Sequence, residues 1–357
     1  MKSKLIKFLA FSLVLAFAAL PFAGCSKDAS TTAQPPADAA APLPDGDAAP
    51  LSSEPAAQKD EGAVLRIGAQ PFPLYSSIYV AKELGFIEEE LDAVGATFVW
   101  TEFNSGPLVN EAVAAGTQDI GFMADQPAIV AKASGQPIQI ISNVAYGEKA
   151  LALLVSADSP VTKVEELKGK KVALVVGSYA QHLLVLLLEN AGLTVDDIEL
   201  INLPASEQPA VLAAGQVDAI VVWEQYISLL TTSGQAKVIA DGTGIKRGNM
   251  VTYAVTSYAE KHPLVIEAYI RASQRAADYI DSNPKEAAAA IAETFGVTDD
   301  VMEEILKKFS FSPELTAADI SEITTVKDYL LKVGIIKNDV DAGEFFNDSY
   351  YKAAFGG

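Results

Sequence analysis

Cysteine occurs once in the 357 residues, at Cys25, so neither a disulfide framework nor a cysteine-ligated metal cluster can form within one chain. Histidine occurs twice: His182 falls in an apolar helical stretch and His262 precedes a proline, a poor basis for a metal pair, and no metal is expected. Cations are scarce, with 26 lysines and arginines against 46 aspartates and glutamates, a formal charge of −20. Such a surface repels phosphate backbones and excludes nucleic acid as a partner. Also missing are a Gly-x-Ser-x-Gly elbow, a phosphate loop ending in Gly-Lys-Ser/Thr and a dinucleotide fingerprint, so neither a cofactor nor an enzymatic activity is expected. The acidic run Glu88-Glu89-Glu90 reads as a solvated helix end.

What is present is a repeat. Half of the residues are hydrophobic, and the length suits two domains. Residues 112–122, AVAAGTQDIGF, return as residues 211–221, VLAAGQVDAIV. Each copy reads as a helix of small residues closed by Gly116 or Gly215, followed through Asp119 or Asp218 by a short apolar strand. Ala124-Asp125-Gln126-Pro127 and Trp223-Glu224-Gln225-Tyr226 come next, where a strand's carboxyl end meets a helix, the edge at which open α/β sheets bind ligands.

The first residues stand apart from this pattern. Lys2, Lys4 and Lys7 precede an apolar run over 8–20, and Phe22-Ala23-Gly24 leads to Cys25, the layout of an export signal over 1–24. About thirteen apolar residues are too few for a permanent bilayer span. The junction resembles a bacterial lipoprotein box, which implies a lipid on Cys25 and a membrane anchor. Residues 25–62 are rich in Ala, Pro and Asp, and read as a disordered tether.

Beyond the tether, strands are expected over 64–69, 96–100, 120–123 and 138–144, alternating with helices, and then over 171–176, 198–202, 217–222 and 236–240. The alternation argues for two parallel sheets with right-handed crossovers. Residues 150–156 and 250–256 read as extended connections and a natural hinge. The lobes so defined are 63–153 and 154–250, with 251–357 returning to the first as a strand and helices. Ser178 with Gln181 fits a capping box, as does Thr316 with Asp319, and Thr298 reads as a further cap. Asp125 either contacts a ligand or caps its helix. Trp223 and Tyr226 either line a ligand or belong to the core, and Arg247, in the glycine-rich loop 242–248, is the candidate for a bidentate anion contact.

In order and spacing, Leu65-Arg66-Ile67-Gly68, Ala81-Lys82-Glu83-Leu84-Gly85, Phe103-Asn104-Ser105-Gly106-Pro107, the Ala-Ala-Gly-x-x-Asp runs, Leu167-Lys168-Gly169-Lys170 and Glu260-Lys261-His262-Pro263 carry a family likeness. Together they resemble the type II periplasmic solute-binding proteins of ABC importers, in the nitrate, sulfonate and taurine branch. The resemblance implies a two-lobed α/β fold, each lobe a mostly parallel sheet flanked by helices, with the C-terminal helices on the first lobe. It implies a monomer that closes on a small organic anion and delivers it to a permease and its ATPase. Carried over by position, it places Ser105, Gly106, Asp125, Gln126, Ser178, Tyr179, Trp223 and Glu224 at the cleft, and Gln70, Tyr75, Gln181 and Arg247 complete the expected ligand-binding set. A small heterocycle, such as a pyrimidine or thiamine precursor, is the alternative ligand. An enzyme resembling the pyrimidine-precursor synthases is the alternative of another class, and the cysteine-rich motif of those enzymes is missing.

Overall fold

The computed structural model describes residues 59–356. The expected signal over 1–24, Cys25 and the tether as far as residue 58 lie outside the described residues. The last tether positions already belong to the fold: the Asp60 amide donates to Val94 O at 2.9 Å, and its carboxylate lies 3.4 Å from His262 Nδ1.

The chain lays down β1 (Val64–Ala69), β2 (Thr97–Glu102), β3 (Ile120–Ala124) and β4 (Ile138–Tyr146). It then crosses to build β5 (Leu151–Ser156), β6 (Lys171–Leu174), β7 (Glu199–Asn202), β8 (Ala219–Trp223) and β9 (Ala236–Asp241). Crossing back, it adds β10 (Met250–Val255) and a two-residue edge strand, β11 (Ser310–Phe311). One sheet runs β11-β4-β10-β3-β1-β2 and the other β7-β6-β8-β5-β9. Without β11 the two orders are the same pattern, with β10 standing in the first where β5 stands in the second.

The repeat explains this equivalence. Asp119 donates its amide to Arg66 O at 2.8 Å and accepts the Arg66 amide on Oδ2 at 2.9 Å. Asp218 does the same to Lys171, at 2.8 and 2.9 Å. Each aspartate thus ties the start of its own strand, β3 or β8, to the neighbouring β1 or β6. Gly116 and Gly215, at φ +71° and +66°, take the left-handed turn that brings each aspartate into place.

The connecting stretches differ from the expectation. They are full sheet members, and both run antiparallel to their neighbours: β5 pairs with β8 and β9, and β10 with β3 and β4. Leu151, the first residue of β5, lies opposite Trp223, the last of β8, and Met250 likewise lies opposite Ala124. Each crossing strand therefore starts at the sheet edge where its antiparallel neighbour ends. The lobe boundaries move accordingly, from 153/154 and 250/251 to the short crossings over 147–150 and 242–249.

These crossings are bonded to each other. The Gly147 amide donates to Arg247 O at 3.1 Å, and the Gly242 amide to Glu148 O at 2.9 Å. A Cβ on Gly147 would sit 2.6 Å from Lys308 O, and one on Gly242 2.6 Å from Glu148 O, so glycine is required by the close approach of backbones.

The C-terminal helices cover the first lobe. The Pro263–Ser282 helix buries Val265, Ile266, Tyr269 and Ile270 and packs on the helices Ser76–Glu83 and Phe86–Ala93. The Ala317–Lys332 helix packs on the Asp125–Ala133 helix, and its expected capping box is formed by Thr316 and Asp319. Thr298 holds the N-cap position of the Asp299–Leu306 helix, but its side chain accepts no capping bond.

Candidate functional site

The carboxyl ends of β3 and β8 open onto a small chamber between the lobes, of about 30 Å³. Ser105 and Gly106, at the start of the Gly106–Ala114 helix, form its wall in the first lobe with Gln70 and Tyr75. Ser178 and Tyr179, at the start of the Tyr179–Asn190 helix, face them from the second lobe together with Trp223. Helix starts carry partial positive charge and unpaired N–H groups, which suits an anion. Outside the chamber lies a vestibule of about 840 Å³, sharing Phe72, Ser105, Pro107, Val175 and Trp223 with it and extended by Asn104, Leu108, Asn202 and Tyr226. Among the described residues, no charged side chain lines either space.

Aromatic packing fixes the donors. The Trp223 ring lies edge-on to Phe72 of the first lobe at 5.6 Å and tilted against Tyr179 at 5.8 Å, contacts of about 0.5–1.5 kcal/mol each beyond area burial. Trp223 Nε1 and Tyr179 Oη are both buried without a protein partner. Tyr75 is packed on Phe122 at 5.0 Å, and its hydroxyl oxygen accepts from Gln70 Nε2 at 3.4 Å. Gln70 is itself held by a 2.8 Å bond to Phe122 O. Burial first, and Asp125 nearby, raise the Tyr75 hydroxyl above its ordinary 10.0; burial and then Tyr75, Asp125 and Glu224 do the same to Tyr179. Both phenols stay protonated and remain donors at physiological pH.

Seven of the expected residues therefore meet at one place: Gln70, Tyr75, Ser105, Gly106, Ser178, Tyr179 and Trp223. Gly106 is also a packing residue, since a Cβ there would lie 2.9 Å from Pro127.

The other five stand elsewhere. Asp125 is fully buried in an ion pair, its Oδ2 2.6 Å from Lys246 Nζ, while Oδ1 accepts the Gln126 amide at 2.7 Å. Gln126 is enclosed behind the wall, with neither side-chain amide atom partnered. Glu224 turns away from the chamber to Lys308 Nζ and accepts the Ser228 amide at 3.2 Å. Gln181 accepts the Gly177 amide at 2.9 Å, and the Ser178 hydroxyl donates backwards to Val175 O at 2.6 Å, so the expected capping box is replaced by two bonds that draw residues 175–177 out of β6. Arg247 lies on the outside of the returning crossing, 3.1 Å from Asp319 Oδ1 and stacked on Tyr146 at 3.6 Å.

The sequence reading missed the apolar walls, Phe72, Pro107, Pro127 and Val175, and the two lysines. Of these, only Pro127 and Pro107 had a signal, as prolines in helical first turns at the sheet edge.

A second contact between the lobes lies behind the chamber, where His182 stacks on Tyr329 at 4.6 Å. Burial first, with Lys246 adding to it, pushes the imidazole down from 6.5 to about 2. The unfolded chain takes up a proton near pH 6.5 that the folded ring refuses, so this contribution is full above that pH and declines below it by about 1.4 kcal/mol per pH unit. Between pH 7 and pH 5, urea unfolding is expected to show the wild type losing about 2 kcal/mol relative to His182→Gln. A difference that does not change with pH would mean that the folded ring accepts the proton.

Two matching lobes, joined by two short crossings and closing on a space at the ends of β3 and β8, define a two-lobed solute-binding architecture. The chain belongs to the NMT1/THI5-like family, whose model matches residues 73–287. It is 31% identical to a candidate aliphatic sulfonates-binding protein of Escherichia coli (strain K12), over 68% of this chain and 75% of that one. Among solved structures it is similar to the alkanesulfonate-binding protein SsuA of Xanthomonas axonopodis pv. citri bound to MOPS, with a TM-score of 0.73 and 28% identity, covering 80% of this chain and 99% of that chain. The periplasmic aliphatic sulphonate binding protein SsuA of Escherichia coli matches with a TM-score of 0.71 and 27% identity, over 82% and 100%.

Proposed function

We propose that the chain is the extracytoplasmic receptor of an ABC importer and that it captures an alkanesulfonate between its lobes. The observation that carries this reading is the pair of buried, unpartnered donors, Tyr179 Oη and Trp223 Nε1, at a chamber free of charged side chains. A sulfonate is a permanent monoanion with three acceptor oxygens and no donor, so neutral N–H and O–H groups at two helix starts suit it. The apolar surfaces of Phe72, Pro107, Leu108 and Val175 suit an alkyl tail leading into the vestibule. The sulfonate-binding relatives support the same ligand class.

The chamber of about 30 Å³ opens into the vestibule, and capture works by the lobes parting at 147–150 and 242–249 and closing around the ligand, binding favouring the closed population. The receptor is exported as a monomer, held at the membrane by a lipid on Cys25, and delivers its ligand to a permease and ATPase.

Isothermal titration of propane-, butane- and hexanesulfonate tests this reading. Binding is expected, strengthening about fourfold per added methylene while the tail lies in the vestibule, from about 0.8 kcal/mol per buried CH₂. Binding of a pyrimidine in place of all three sulfonates would overturn it, as would scattering curves that do not change with ligand.

A further inference from the structure

Each half of the repeat ends in a buried acid set one residue behind the chamber wall. Asp125 follows Ala124, Glu224 follows Trp223, and both wall residues line the chamber while both carboxylates are fully buried. In each case a lysine from a distant part of the chain covers the charge. Lys246 comes from the returning crossing and lies 2.6 Å from Asp125 Oδ2. Lys308 comes from the turn before β11, meets Glu224 Oε1 and lies 3.0 Å from Ser228 Oγ. The second pair joins the lobes, because Glu224 extends β8 while Lys308 leads into a strand of the first sheet.

We propose that these two lysines set the ligand specificity of the chamber: by neutralising the acids behind its wall they let it hold a monoanion and deny a ligand ammonium any carboxylate partner. The chain then selects apolar-tailed sulfonates against zwitterionic aminosulfonates. This rests on the sulfonate reading of the site and adds to it the residues that decide between sulfonates.

The argument is electrostatic. In a space walled by aromatic rings and partly closed to water, a bare carboxylate one residue behind the wall repels a sulfonate and attracts an ammonium, and a covering lysine cancels both effects. The acids lie close enough to act there: both bear on the Tyr179 hydroxyl and Asp125 on that of Tyr75, and these two side chains line the chamber. Lys308 is the lysine to change, since its side chain is 28% exposed, whereas Lys246 is wholly enclosed.

The experiment titrates propane-1-sulfonate and taurine into the full chain, a ligand pair of equal heavy-atom count in which a terminal methyl is replaced by an ammonium. Wild type, Lys308→Met and Glu224→Gln/Lys308→Met are compared. The wild type is expected to prefer propane-1-sulfonate, Lys308→Met to narrow the preference by about tenfold or more, and the double variant to restore it. A poorly folded variant lowers the bound fraction of both ligands alike, so the ratio of affinities reads the specificity separately from folding. A ratio unchanged in Lys308→Met, or not restored in the double variant, overturns the inference while leaving the sulfonate receptor intact. A wild type that binds no alkanesulfonate overturns the proposed function and the inference with it.

Discussion

Lys246→Met is expected to destabilise the folded chain by about 3–5 kcal/mol, because it strands the Asp125 carboxylate in a site that no water reaches. The pair ties the returning crossing to the helix that follows β3. Asp125 opens the Asp125–Ala133 helix, and its amide is bonded to Asn249 O at 3.1 Å on the returning crossing. Asn249 Nδ2 is in turn held by Asp319 Oδ1 at 2.7 Å and by Asn143 Oδ1 at 3.3 Å, both in the first lobe. Removing the ammonium therefore leaves one charge bare and loosens the crossing on which β10 depends. The melting temperature should fall on the order of 10 °C. Asp125→Asn/Lys246→Met carries no stranded charge, and urea unfolding should show it recovering most of the loss. A double variant as unstable as the single one would mean that the methylene stem of Lys246, and not its charge, holds the crossing.

The same pair shows where the sequence was legible and where it was not. The repeat was legible because its parts are local: a glycine in the left-handed turn, an aspartate three residues on, and an apolar strand. The structure gives Asp119 and Asp218 the same bonds to β1 and β6. The helix starts at Ser105 and Ser178 were legible for the same reason, and both fall on the chamber. The acids after the strands were misjudged because the groups that cover them are far away in sequence, 121 positions for Lys246 and 84 for Lys308. Nothing near Asp125 or Glu224 announces a partner at such separations.

Arg247 shows the complementary difficulty. A glycine-rich loop carrying scarce cations drew attention to the arginine, yet it is the adjacent Lys246 that turns inward and is fully buried, while Arg247 lies outward over Tyr146. The backbone path decides which of two neighbouring side chains faces the interior, and the loop composition does not encode that path. The antiparallel crossing strands escaped notice on similar grounds. An apolar run marks a strand, but its direction in the sheet follows from the sheet edge at which the chain arrives, and both crossings arrive where β3 and β8 end.

Tyr179→Phe and Trp223→Phe are expected to weaken sulfonate binding by about 10- to 100-fold each, the effect of removing one hydrogen bond to a charged group worth about 1.5–3 kcal/mol. Each change deletes a donor and keeps an aromatic ring. Stability should barely move in Tyr179→Phe, since the hydroxyl has no protein partner to lose. Trp223→Phe also shortens a ring that bridges Phe72 of one lobe to Tyr179 of the other, so it is expected to lower the melting temperature by a few degrees as well. On the proposed reading the two donors act on one ligand group, so their losses should combine to less than the product of the single effects. Calorimetric titration with butanesulfonate decides the matter. Full affinity in Tyr179→Phe would place the anion elsewhere, at the vestibule residues Asn104 and Asn202, and would leave the inner chamber as a packing defect between the lobes.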